Sequence, residues 1–192
     1  MRGQDRGADP AKKPVRFALA PPLVVVALAA LGAPAGAAPT YGPSGATFSV
    51  AFPKSPHSQT NTKAVLAGFP SGTVSTATAY WVSPSADPLQ ATTAPVPTFL
   101  VVVGTAKSPK KATTFASTVH TLSGAVAVTV NGAKGYRFSG TEEKVEGSSS
   151  SRNPNATEGI EFLAHGKTIY AVEVTDNSAA TANSFLQSFK PA

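Results

Sequence analysis

The sequence predicts an α+β domain: a central, mostly antiparallel sheet of about seven strands carrying two main helices. Three observations point there. Apolar residues alternate with period two in a series of short stretches, helical spacing appears at only two places, and the strands follow one another mostly as adjacent hairpins.

In chain order, residues 47–52 set Phe48, Val50 and Phe52 against Thr47, Ser49 and Ala51, as a half-buried strand does. Pro53 then removes the next ladder donor. Residues 54–69 read as irregular, with a helical turn over 62–67. Residues 74–82 alternate Val74, Thr76, Thr78, Tyr80 and Val82 with Ser75, Ala77, Ala79 and Trp81, a second strand. Pro84, Pro88, Pro95 and Pro97 make 83–97 a long loop, which in a small domain is either functional or without fixed structure. The continuous apolar run 99–103 is expected of a central strand covered on both faces.

Over 108–122, Phe115, Val119 and Leu122 recur at i, i+4 and i+7 beside Ala112 and Ala116, the stripe of a surface helix. Ser108 is its N-cap, Pro109 its first residue and Gly124 its stop. Residues 126–130 alternate valines, and Asn131-Gly132 is a strong hairpin signal leading into 134–142, with Tyr136 and Phe138 pointing inward. A polar loop over 147–155 precedes a second hairpin, 158–163 with 168–174. Residues 178–189 return to helical period, with Ala182, Phe185, Leu186 and Phe189 on one side and Asp176 or Ser178 as cap.

Ahead of the domain, residues 1–16 are polar and net positive, 17–31 are apolar and 32–38 are small. That is the order of a secretory signal peptide. Ala35-Gly36-Ala37 fits the A-x-A rule and places the cut between Ala37 and Ala38; Ala33-Pro34-Ala35 is the second choice. The apolar run is shorter than the ~20 residues that span a bilayer and contains Pro21-Pro22, so no stable membrane span is expected after cleavage. The expected organisation is a signal peptide at 1–37, a flexible tether at 38–46 and one domain at 47–192, in an exported bacterial-type protein.

Composition narrows the function. Five of the 16 basic and two of the 10 acidic residues lie in 1–37, so the formal charge of +6 divides into +3 there and +3 in the remainder. That is too mild for a nucleic-acid partner, which needs a concentrated basic face. With no cysteine, disulfides, thiolate zinc sites, thiol catalysis and a lipid anchor are excluded.

The opening F-x-V-x-F-P (Phe48, Val50, Phe52, Pro53) and closing F-L-x-S-F (Phe185, Leu186, Ser188, Phe189) bracket a Gly-Tyr strand (Gly135-Tyr136) and an I-Y-x-V strand (Ile169, Tyr170, Val172). This pattern resembles the PsbP-like (Mog/PsbP) fold family, and within it secreted bacterial proteins of the LpqN type. The resemblance spans roughly residues 47–190 and rests on packing positions. It implies an α/β/α sandwich around an antiparallel sheet, acting as a non-enzymatic adaptor or binding module. It maps no family site residue here, and the missing cysteine departs from the lipid-anchored members.

Nothing in the sequence assembles a catalytic site. His57, His120 and His165 read as solvated turn, loop or helix-surface residues, and no G-x-S-x-G elbow is present. Glu142, Glu143 and Glu146 read as a solvated loop edge and not as a calcium loop. Asn155-Ala156-Thr157 fits a glycosylation sequon by coincidence, and Tyr80-Trp81 is expected beneath a helix. The candidate ligand site is a weak anion patch of Lys107, Lys110 and Lys111 at the start of the first long helix. No catalytic residue, metal ligand or cofactor is expected. The function expected is a secreted, non-enzymatic binding or accessory module at the cell envelope, its partner a protein or envelope component. The alternatives are a structural envelope protein or a hydrolase on the same scaffold.

Overall fold

Two clusters of buried side chains, one on each face of a seven-stranded antiparallel sheet, hold the domain together. The computed structural model describes residues 40–43, 47–84, 97–141 and 156–192. The elements are β1 (Phe48–Ser49), β2 (His57–Thr60), α1 (Lys63–Ala67), β3 (Val74–Val82), β4 (Thr98–Ala106) and α2 (Pro109–Ala116). A 3-10 turn (Thr118–Thr121) follows, then β5 (Val126–Val130), β6 (Ala133–Thr141), β7 (Thr157–His165), β8 (Thr168–Asp176), α3 (Ala179–Ser188) and β9 (Lys190–Pro191). The sheet order is β2-β3-β4-β8-β7-β6-β5, every neighbour antiparallel.

Helices cover both faces, giving three layers, α/β/α. Val65 of α1 and Ala112 and Phe115 of α2 pack with Ala79, Trp81, Leu100, Ile169 and Ala171 on one face. Ala182, Phe185 and Leu186 of α3 pack with Val101, Leu163, Tyr170, Val172 and Val174 on the other. Alternation along each strand sends successive side chains to opposite clusters, and the central strands are apolar on both sides. Trp81 is buried in the α1–α2 layer, as expected of an aromatic beneath a helix.

Local chemistry sets the boundaries. Ser108 Oγ accepts from the Lys111 amide at 3.3 Å, with Pro109 opening α2; Ser178 Oγ accepts from the Thr181 amide at 3.3 Å at the start of α3. Asn131 and Gly132 turn β5 into β6 with φ of 47° and 82°, the paired positive values of a two-residue hairpin.

The seven-strand count holds with a different membership. Residues 47–52, expected as a sheet strand, form a strap: β1 pairs only with β9, and Val50 bridges to Tyr41. Phe48, Val50 and Phe52 still point inward, onto the α3 layer. The seventh sheet strand is β2, in the stretch expected to be irregular. The helix expected over 108–122 ends at Ala116, because hydroxyls turn back on its carbonyls: Thr113 to Pro109, Ser117 to Thr113, Thr118 to Phe115. Such bonds compete with helical continuation, and the chain tightens into the 3-10 turn.

The expected signal peptide with its expected cut between Ala37 and Ala38, most of the expected tether and of the 83–97 loop, Glu142, Glu143, Glu146 and Asn155 lie outside the described residues. Among the described residues no helix is long and apolar enough to cross a membrane.

Candidate functional site

Small side chains in the middle of a sheet leave room beneath helices that rest on larger ones. Ala79 of β3 and Ala171 of β8 do so here, and Gly68 ends α1 over the same spot. The result is a pocket of about 90 Å³ between α1, α2 and the sheet. Leu100, Val102 and Phe162 line its floor, and Val65, Phe69 and Phe115 its walls. Phe115 stacks on Phe162 with centroids 4.6 Å apart and meets Phe69 at 5.1 Å, so the aromatic wall is continuous.

One ionisable side chain enters this apolar lining, Glu173 of β8. Its register neighbours are Leu100 on β4 and Ile160 on β7, neither able to pair with a carboxylate. No described residue gives it a hydrogen bond or an ion pair. The residue is half-buried, and desolvation among the atoms around it pushes its pKa up to about 7 from 4.5.

Glu161 supplies the contrast. It is fully buried on the opposite face, and Arg137 Nε, from the register partner on β6, donates to its Oε2. Burial pushes its pKa up, opposed by the hydrogen bond and charge of Arg137 and by the charge of Lys190. Glu161 is paired with Arg137 on one face of the sheet, and Glu173 lines the pocket on the other.

Two broader grooves are open to solvent. One of about 220 Å³ is lined by Thr76, Thr78, Thr105, Thr168 and Tyr80; another of about 260 Å³ lies between α2 and the β5–β6 hairpin. Threonine hydroxyls make the lining of the first mainly polar.

The sequence-predicted candidates fall elsewhere. Lys107 precedes α2, and Lys110 and Lys111 lie in its first turn, all exposed, with no acidic residue in that turn. Lys111 is engaged internally, its Nζ donating to the Gly72 carbonyl at 2.5 Å. His57 lies on the edge strand β2 with its ring 5.6 Å from that of Trp81. His120 Nδ1 is 2.8 Å from the Ser117 carbonyl oxygen, and His165 ends β7 beside Gly166. The three histidines do not converge, and no group of three or more His, Asp or Glu among the described residues is placed to hold a metal ion.

Glu161 and Glu173 were missed at the level of sequence, though a signal existed. In GIEFL and IYAVEV an acid interrupts a strand that is otherwise apolar on both faces, and one layer or the other must bury it.

Fold and pocket together define an α/β/α domain with an apolar cavity lined by the Glu173 carboxyl, which has no partner among the described residues. No family model matches the chain, and no curated protein does. A crystal structure of a protein from Bacteroides thetaiotaomicron VPI-5482 is similar at 12% identity over 77% of this chain, with a TM-score of 0.38. This chain spans 46% of the length of that one.

Proposed function

We propose that this chain is an exported, non-enzymatic binding module of the cell envelope, and that the pocket between α1 and α2 is its ligand site. The single observation that carries the site is Glu173, an acid without partner among the described residues, in a pocket otherwise lined by carbon. An unpaired carboxyl beneath two helices costs folding free energy that a hydrophobic residue there would not. A ligand that uses the carboxyl accounts for its presence. A concave, mostly apolar cavity with few polar groups is also the usual form of a small-molecule site. Export is supported by the n-, h- and c-region order of residues 1–37, and a binding role by the resemblance to PsbP-like adaptors.

Two measurements test this. Expressed in a bacterium, the chain should accumulate outside the cytoplasm with Ala38 as its first residue by mass spectrometry; retention of residues 1–37 in the cytoplasm overturns export. Small compounds with apolar bodies, added at millimolar concentration, should shift the NMR signals of Val65, Leu100 and Val102 before those of Thr76 and Thr105. A screen in which no compound, charged or neutral, perturbs the pocket overturns the site.

A further inference from the structure

The structure assigns a ligand class to this pocket: we infer that it takes a small organic monocation, a protonated primary amine on a compact branched aliphatic body, with the ammonium against the Glu173 carboxylate. This rests on the pocket being the binding site proposed above.

Charge complementarity is the first argument. The cations on the overlying helices form no ion pair with Glu173. Lys63 on α1 and Lys110 on α2 are exposed, and Lys111 is bonded to the Gly72 carbonyl. On β7, the residue diagonal to Glu173 on the same face is Glu158, an acid and not a cation. On the opposite face the chain supplies Arg137 to a carboxylate buried in the same sheet. Among the described residues none supplies Glu173 with a cation. An ionised carboxylate in a carbon-lined pocket attracts a cation more strongly than an exposed one, because little water screens the pair.

Volume and shape give the second argument. A dry cavity of about 150 Å³ holds benzene, so this one, at about 90 Å³, is filled by about four non-hydrogen atoms, the carbons of a branched aliphatic body, with the ammonium at Glu173. Phe115, Phe162 and Leu100 offer that body carbon contacts, and Ala171 leaves the space it occupies. A guanidinium would use most of this volume for its planar fork and leave none for an apolar body.

The test is an NMR titration of the full 192-residue chain at pH 8 with isobutylamine, its neutral counterpart isobutanol and the anion isobutyrate. The expected order is amine first, tighter than the alcohol by about tenfold or more, with the anion weakest. In Glu173→Gln, which keeps the shape and removes the charge, the amine's advantage should vanish while the alcohol binds as before. Alcohol binding as tight as amine binding in the natural chain, or a preference that survives Glu173→Gln, overturns the cation assignment and leaves the site standing. Failure of all three probes to shift Val65, Leu100 or Val102 overturns both.

Discussion

Arg137 and Glu161 stand directly opposite each other on β6 and β7, and the guanidinium Nε donates to a carboxylate with no exposed surface. The other carboxylate oxygen, Oε1, finds no partner among the described residues, so the pair depends on one contact. Removing the cation alone strands a buried charge. Arg137→Ala should cost about 3–5 kcal/mol, read as a lower urea midpoint. Replacing both, Arg137→Leu with Glu161→Leu, should recover most of that loss. A double variant as unstable as the single one would show that the arginine acts through packing and not through charge.

Glu173 makes the opposite prediction. Its folded pKa of about 7 lies above the ordinary 4.5, so the folded state holds the proton more tightly than the unfolded one. The resulting stability is complete below pH 4.5 and is lost as the pH rises through 7. Its size is about 3 kcal/mol at most, reduced by whatever solvent at the pocket mouth screens. Glu173→Gln should therefore be more stable than the natural chain at pH 8 and close to it at pH 4. Every other acid is the same in both proteins, so the difference between the two denaturation curves across pH isolates Glu173. A constant difference from pH 4 to pH 8 refutes the assignment.

Legibility of the fold followed how local each determinant was. Asn131-Gly132, Ser108-Pro109 and Ser178 announced a turn and two helix starts because their own backbone and side chains make those structures. Residues 47–52 showed which side was buried, but alternation cannot say what lies alongside, and the partner proved to be β9 at the far end of the chain. The edge strand β2 was silent because three of its four residues are exposed and give no apolar face. The site was harder still. The acid in IYAVEV was visible, but its isolation depends on Leu100 and Ile160 arriving from other strands, and the cavity on two alanines that flank Val102 beneath two helices.

The closing motif also does more than pack. Ser188 Oγ accepts from the Ala51 amide at 3.0 Å and donates to the Phe185 carbonyl at 2.7 Å, fastening the 47–52 strap to the end of α3. Ser188→Ala leaves the half-buried Ala51 amide without that partner and should cost about 1–2 kcal/mol. Hydrogen exchange should accelerate at Ala51 and Val50 while the β7–β8 amides keep their protection. Uniform acceleration across the sheet would mean that the strap is not a separately fastened unit.

Filling the pocket separates stability from binding. Ala171 lies on β8 between Val102 and Phe162, and its small side chain leaves part of the cavity empty. Ala171→Val adds two methyl groups to a strand position that favours β-branched residues, where about 90 Å³ of space can receive them. The variant should gain about 1 kcal/mol in urea denaturation, since methyl groups leave water without forcing neighbours off their rotamers. The same methyls occupy the volume assigned to the ligand body, so isobutylamine and isobutanol should both bind about tenfold more weakly. A natural chain that keeps alanine here forgoes available stability, as expected where selection holds a cavity open for use. Should Ala171→Val stabilise the fold and leave probe binding unchanged, the ligand lies elsewhere and the cavity is only imperfect packing.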